Sequence, residues 1–252
     1  MCSSDLAGTL VGPPVATLVI ERLGWRHAYL VFAVASLLLL LACGLLADAP
    51  PAPASPARGL GRVLRTRAFA LLYGTGLLSG FALFLALVHL VPYALRMGSA
   101  PVSAAALLSV VGVGSVGGRL ALGGAADRMG PVTAFRLSMA ILLGSYVVWL
   151  AASGYVALAG FALALGVGYG GWVALSPPVM AELFGAEGLG GSVGALYTSA
   201  GIGALLGPPF AGFVVDVTGG YRPAILVAIG LAAGSMVLAA LLGRADRSPR
   251  VA

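Results

Sequence analysis

Charged residues are scarce in this sequence: they make up 9% of its 252 residues, whereas hydrophobic residues make up 60%. The mean hydropathy is +1.04. So little charge cannot cover the surface of a soluble domain, which excludes a soluble globular fold and favours a membrane protein. Lysine is absent, so all 14 basic residues are arginine. With abundant Ala, Gly and Leu, this bias is typical of a GC-rich coding sequence, and we do not predict nucleic acid binding.

Cysteine and deeply placed carboxylates are scarce as well. The two cysteines, Cys2 and Cys43, exclude a disulfide framework and a cysteine-based metal site. A membrane-embedded enzyme would need paired polar groups inside its spans. The carboxylates instead lie at the ends of the apolar segments: Glu21, Asp127, Glu182 and Asp216. We therefore predict no enzyme activity, no cofactor and no metal site.

Long uncharged runs dominate what is present, and they predict an all-α membrane protein. A helix crosses a bilayer core of about 30 Å with roughly 20 apolar residues. The apolar segment at residues 7–20 is shorter than this, which predicts a helix cut in half. Seven complete spans are predicted at residues 28–47, 68–95, 97–118, two within 137–181 with a hairpin near Ser153 and Gly154, 188–215 and 223–243.

The start of the chain differs from the rest. Residues 2–6, CSSDL, are what adapter DNA of the type TGCTCTTCCGATCT would encode, so residues 1–6 are predicted to be a non-native start, with an ordinary polar N-terminus as the alternative. No basic segment precedes the first apolar run, so the sequence does not indicate a signal peptide. Because residues 7–20 suffice for only half a helix, we expect the source gene to continue upstream with further spans.

A segment rich in proline and small residues, APPAPASPARGLGR at residues 49–62, interrupts the apolar pattern and indicates a linker. The predicted domains follow from it. They are the end of an N-terminal bundle (7–47), a cytoplasmic linker (48–67), a six-helix C-terminal bundle (68–243) and a cytoplasmic tail (244–252).

The arginines are divided unequally between the two sets of connections. Positive residues favour the cytoplasmic side of a membrane protein. This places the linker and the C-terminus in the cytoplasm and predicts a multi-pass protein of the cell's inner (plasma) membrane. One set holds Arg58, Arg62, Arg65, Arg67, Arg128, Arg136, Arg244, Arg247 and Arg250, and the opposite set holds Arg22, Arg26, Arg96 and Arg222.

One phrase of the sequence occurs twice. LVGPPVATLVIERLGWR at residues 10–26 is echoed by LLGPPFAGFVVDVTGGYR at residues 205–222. An offset of nearly 200 residues is too long for a solenoid or propeller, whose periods are about 20 to 50 residues. The repeated unit is therefore half a protein, and its two copies cross the membrane in the same direction. GxxxG spacings at 166–170 and 203–207 predict close helix packing.

These motifs resemble the major facilitator superfamily. Within it, the GPP and GWR segment, VHLVPYA at 88–94, and GALYTSAGIGALLGPPFAG at 194–212 are most similar to the monocarboxylate transporter and oxalate/formate antiporter branch. The resemblance implies a fold fragment that comprises the end of helix 5, helix 6 and the complete C-terminal six-helix bundle. A competing branch, the drug/proton antiporters, matches the residues near Gly12 less well, because Ala16 and Thr17 replace its final glycines.

The segment GGAADRMG resembles the gating loop motif of the superfamily. Its matching positions are Gly123, Asp127, Arg128 and Gly130. Pro131 and Val132 stand where basic residues usually follow, so the resemblance implies a weaker network of gating charges.

Arg119 is the first candidate for substrate binding. An arginine within a membrane span is costly unless it has a partner or a function, and its guanidinium can hold a carboxylate through two parallel hydrogen bonds. The resemblance implies that Arg119 binds the carboxylate of the substrate; the alternative is an arginine that extends to the lipid headgroups. Ser115, one turn earlier, replaces an aspartate of the animal relatives, which leaves proton coupling open.

Aromatic residues supply the other candidates. His89 and Tyr93 share one face of a helix, and either a binding role or a hydrogen bond to a neighbouring helix would explain the histidine. Tyr169, Trp172 and Tyr197 could line a cavity as aromatic gates, or could pack as ordinary core residues.

The sequence therefore predicts a secondary transporter that moves a small organic anion, a mono- or dicarboxylate, by alternating access. It would work as a symporter or antiporter in the lipid bilayer, with protons as a candidate coupling ion. The alternatives are efflux of drug-like compounds and a fragment that transports nothing.

Overall fold

The computed structural model describes residues 3–46, 60–185 and 188–245, and within them every regular element is an α-helix. The chain divides into two compact units, Met1–Pro56 and Ala57–Ala252. The helices are α1 (Ser3–Leu46), α2 (Leu60–Leu64), α3 (Arg67–Arg96), α4 (Pro101–Met129), α5 (Pro131–Ala151), α6 (Tyr155–Phe184), α7 (Leu189–Thr218) and α8 (Arg222–Ala245).

Seven of these helices are long and apolar enough to cross a membrane, as predicted. One lies in α1, from Arg22 to Leu45, and the others are α3 to α8. The protein is thus an all-α membrane protein. The first part of the predicted linker, residues 48–59, and the end of the predicted tail, 246–252, lie outside the described residues, so those boundaries remain predictions.

The predicted half helix and the first full span meet at a kink within α1, at Gly24, whose backbone is not helical (φ 76°, ψ 158°). A positive φ of this size is easily adopted only by glycine. The third predicted span stops before Arg119, whereas α4 continues to Met129. A charge does not end a helix, because the backbone hydrogen bonds continue past it.

The second unit is a bundle in which α3 packs against α7 and α8, α4 against α6, and α5 against α6 and α8. Successive helices run in opposite directions. We call the end that holds α2 the linker end and the opposite end, marked by Arg96 and Arg222, the far end. Each end has its own apolar core, built around Phe69, Leu122 and Phe135 at the linker end and around Leu90, Trp149 and Phe161 at the far end.

Glycines bring two pairs of helices into backbone contact. A Cβ atom on Gly166 of α6 would lie 3.0 Å from the Cα of Gly114 in α4. A Cβ atom on Gly203 of α7 would lie 2.7 Å from the carbonyl carbon of Gly80 in α3. Real Cβ atoms do not approach backbone so closely, which confirms the close packing predicted from the GxxxG spacings.

Candidate functional site

Arg119 lies inside the bundle on α4. It is ten residues before the end of the helix at Met129, which is about 15 Å from the linker end along the axis. Only 7% of its surface is exposed. Its Nε and Nη1 atoms are buried and have no hydrogen-bond partner in the described part of the protein. Such a cation retains its capacity to bind an anion.

Ser115 lies one turn before Arg119 and is also buried, at 2% exposure. Its Oγ atom has no hydrogen-bond partner among the described residues. The backbone here is in contact with α6, because a Cβ atom on Gly170 would lie 2.8 Å from the Cα of Ser115. The same is true of Gly118, whose Cβ atom would lie 2.8 Å from the Cα of Val167. The α4–α6 contact therefore places Arg119 beside the middle of α6, at the same height in the bundle.

This part of α6 carries two of the predicted aromatic residues, Tyr169 and Trp172. Trp172 is buried and Tyr169 is half-buried. The Trp172 ring meets the Tyr197 ring of α7 edge to face, with 5.3 Å between centroids. The Tyr197 hydroxyl donates a hydrogen bond to the Val173 carbonyl at 3.4 Å. Thus an aromatic contact joins α6 to α7 near the part of α6 that packs against α4 around Arg119.

His89 and Tyr93 lie elsewhere, near the far end. His89 is seven residues from the end of α3 at Arg96, which is about 10 Å along the helix. Arg119 is 18 residues from the far end of α4 at Pro101, about 27 Å by the same measure. The candidates therefore fall into two groups. The deeper group comprises Arg119, Ser115, Tyr169, Trp172 and Tyr197.

The His89 ring joins α3 to α7. Its Nε2 atom lies 3.1 Å from the Pro208 carbonyl, and because a carbonyl oxygen can only accept, Nε2 is the donor. Its Nδ1 atom is buried without a partner among the described residues. The ring also meets Tyr221, with centroids 5.8 Å apart.

Tyr93 connects the same region to α5. Its ring lies edge-on to Tyr221 at 5.3 Å and to Trp149 at 5.7 Å. The Arg96 guanidinium lies over the Tyr221 ring, 5.0 Å from its centroid. Tyr221 and Trp149 were not predicted as site residues, because no local spacing in the sequence relates them to His89 or Tyr93.

The residues of the gating motif lie at the linker end of α4. Asp127 and Arg128 are exposed in the last turn, and Gly130 has φ 85° where the chain turns into α5. A non-glycine residue would be strained at this angle. Gly123 has open space where a Cβ atom would stand. The gating role of these four residues remains a prediction.

The carboxylates of the second unit that the structure describes are all exposed. Asp127, Glu182 and Asp216 lie in the last turns of α4, α6 and α7. In the described residues, no group of His, Cys, Asp or Glu could hold a metal ion. Among the described residues of this unit, the buried charge is thus the guanidinium of Arg119, and no described Asp or Glu is buried beside it.

Seven apolar helices, with a buried arginine in the six-helix bundle, define a multi-pass helical membrane protein. Residues 3–175 match the family described as Major Facilitator Superfamily. Monocarboxylate transporter 11 of Homo sapiens is 36% identical over 251 residues, covering 92% of this chain and 52% of the relative. Monocarboxylate transporter 13 of Bos taurus is 34% identical and covers 90% of this chain and 55% of the relative.

Among solved structures, the fold is similar to that of the E. coli fucose:proton symporter FucP. The TM-score is 0.64 at 19% identity, covering 89% of this chain and 55% of the symporter. The chain spans about half the length of the relatives it matches. It belongs to the major facilitator superfamily. The resemblance to monocarboxylate transporters that the sequence motifs indicated is confirmed.

Proposed function

We propose that this protein takes part in secondary active transport of a small organic anion, a mono- or dicarboxylate, by alternating access, and that Arg119 binds the carboxylate. The observation that carries the proposal is the buried Arg119 side chain, whose Nε and Nη1 donors have no partner among the described residues. The names of the relatives, monocarboxylate transporters, support the substrate class.

The chemistry of arginine fits this role. A guanidinium deep in a membrane span is costly unless its charge is compensated. It is planar and offers parallel N–H donors that match the two oxygens of a carboxylate. Nε forms one such pair of donors with Nη2, and Nη1 forms another with Nη2. Each of the two atoms without a protein acceptor, Nε and Nη1, therefore belongs to one pair. The Ser115 hydroxyl, one turn away, could donate a further hydrogen bond to the same anion.

The aromatic residues would shape the site around this charge. In the proposal, Tyr169, Trp172 and Tyr197 form its wall at the level of Arg119, and His89 and Tyr93 contact the substrate nearer the far end. Asp127 and Arg128 would take part in closing the linker end. Ser115 does not titrate in the physiological range, so a coupled proton would have to be carried by a group outside this part of α4.

The test compares Arg119→Lys, Arg119→Ala and the exposed control Arg222→Ala. Cells that express each variant are supplied with radiolabelled pyruvate or succinate, and uptake is normalised to the amount of protein in the membrane. We expect Arg119→Ala to abolish uptake. Arg119→Lys should weaken it by about tenfold or more, because lysine keeps the charge but loses the two-point geometry. Arg222→Ala should behave like the parent.

Normal carboxylate uptake by Arg119→Ala would show that this guanidinium does not hold the substrate. The snorkelling interpretation of Arg119 would then be preferred. Should the parent be present in the membrane but take up neither compound above the level of empty cells, the proposal that this chain transports mono- or dicarboxylates would be wrong.

A further inference from the structure

Three arginines are exposed where the chain enters the bundle. Arg62 lies in α2, Arg65 in the turn that follows, and Arg67 is the first residue of α3. Leu64 lies among them and is 40% exposed. The sequence contains no Asp or Glu from residue 49 to residue 126. This patch, which we call the arginine surface, consists of Arg62, Leu64, Arg65 and Arg67.

The arginine surface is held in place by its neighbours. The Thr66 hydroxyl donates to the Val63 carbonyl at 2.7 Å and accepts from the Phe69 amide at 3.1 Å, which ties α2 to the start of α3. Val63 packs against the apolar core of the linker end. Leu60 contacts α7, with its Cδ2 atom 3.8 Å from the place where a Cβ atom on Gly191 would stand. The guanidinium groups thus project from a fixed turn.

The position of this turn relative to a bilayer follows from the length of α3. The membrane-crossing helix runs from Arg67 to Arg96, which is 30 residues. A helix of this length is about 45 Å long, roughly the thickness of a bilayer with its headgroups. By its length, α3 is therefore expected to reach the headgroup region at both ends. The arginine surface lies at one of these ends, which would place it at the level of the lipid phosphates.

We propose that the arginine surface binds the headgroups of anionic phospholipids, with Leu64 entering the boundary of the acyl chains. Guanidinium groups pair with phosphate oxygens through parallel hydrogen bonds. Clustered basic residues beside a membrane span attract anionic lipid, and an apolar residue among them adds burial at the interface. The positive end of the α3 dipole contributes in the same direction. This inference does not depend on the transported substrate.

The experiment measures lipid adducts of the purified 252-residue chain by native mass spectrometry. Dioleoyl phosphatidylglycerol is the anionic probe, and dioleoyl phosphatidylcholine is the zwitterionic comparison. The test variant carries Arg62→Gln, Arg65→Gln and Arg67→Gln. A matched control carries Arg22→Gln, Arg26→Gln and Arg222→Gln, which removes the same charge elsewhere. A third variant replaces the three arginines of the surface with lysine.

The parent should prefer phosphatidylglycerol, and the test variant should bind it about a hundredfold more weakly, since each of the three basic residues contributes roughly a factor of five. The matched control should keep the preference, and the lysine variant should bind more tightly than the test variant but more weakly than the parent, because lysine keeps the charge and loses the parallel hydrogen bonds. Equal loss in the test variant and the matched control would overturn the proposal. Displacement of the lipid by millimolar inorganic phosphate would also overturn it, because the site would then bind soluble anions.

The parent alone supplies an independent measurement. Raising the salt concentration from about 0.05 M to about 0.5 M should reduce the retention of phosphatidylglycerol, since exposed charges are screened. Retention of phosphatidylcholine should not change. If salt has no effect on phosphatidylglycerol, the arginine surface does not hold this lipid, even if the test variant fails to fold.

Discussion

At the scale of single residues, the bundle contains buried polar groups that hydrophobic packing does not require. Arg119 and Ser115 lie one turn apart on α4, at 7% and 2% exposure. A buried polar group without a partner costs free energy. Most other buried hydroxyls avoid this cost through a backbone carbonyl, as Ser138 does with Gly168 at 2.7 Å. Ser115 and Arg119 are exceptions among the described residues, as are His89 Nδ1, the Tyr146 hydroxyl and Trp149 Nε1. Arg119 differs from these in carrying a charge, which makes it and the adjacent Ser115 the candidates for anion binding.

The spacing of Ser115 and Arg119 gives a prediction about pH. In Ser115→Asp, the new carboxylate would lie on the same face of α4 and would compete with a substrate carboxylate for the guanidinium until it is protonated. Uptake by this variant should therefore depend more strongly on low external pH than uptake by the parent. Initial rates from pH 5 to pH 8 provide the measurement. Ser115→Asn, which is similar in size but does not titrate, should keep the profile of the parent.

At the scale of helices, glycines decide which elements can move against each other. The α4–α6 pair is in backbone contact at four glycines: Gly114, Gly118, Gly166 and Gly170. The α3–α7 pair is in contact at Gly80, Gly203 and Gly207. Pro208 and Pro209 lie inside α7 next to this contact, and prolines there remove two backbone hydrogen bonds. Such closely packed pairs are expected to move as rigid bodies.

The contact between α4 and α6 can be tested with two alanine substitutions. In Gly118→Ala, the Cβ atom would lie 2.8 Å from the Val167 Cα. Overpacking of this kind costs roughly 1–3 kcal/mol, so the melting temperature should fall by several degrees. In Gly117→Ala, on the exposed face, nothing lies within 4 Å of the new atom. That variant should be as stable as the parent or slightly more stable, because alanine favours helices.

Thermal unfolding of both variants in the same detergent is the measurement. A Gly118→Ala protein as stable as the Gly117→Ala protein would contradict the backbone contact. The inner position would then have more room than the structure gives it.

At the scale of the whole molecule, the chain has two compact units and spans about half the length of its relatives. The six long helices of the second unit, α3 to α8, are all able to cross a membrane. An even number of spans returns the chain to the side from which it started, so α3 begins on the side where α8 ends. From the arginine asymmetry we predict that this side faces the cytoplasm.

The orientation is tested with single cysteines in a background in which Cys2 and Cys43 are replaced by serine. A cysteine at Ser55 should resist impermeant thiol reagents in intact cells and should react after permeabilisation. A cysteine at Ser99, in the connection between α3 and α4, should react from outside. The reverse pattern of labelling would invert the topology and contradict the assignment.

The sequence alone determined the number of spans, their approximate limits and the superfamily. Each of these depends on local properties, such as roughly 20 uncharged residues for a span, GxxxG for close packing, and short motifs such as GGAADRMG. One predicted limit was wrong for a local reason: α4 continues past the charge of Arg119. The kink of α1 at Gly24 lies between the predicted half helix and the first full span.

Only the tertiary structure decided which candidate residues meet. Tyr197 reaches Trp172, and His89 reaches the Pro208 carbonyl across 119 positions of sequence. The same packing separates His89 and Tyr93 from Arg119 and adds Tyr221 and Trp149 to their cluster. Residues so far apart in sequence are brought together by the pairing of helices. Backbone contacts at glycines determine which helices pair, and the local periodicity of the sequence does not show which partner a helix takes.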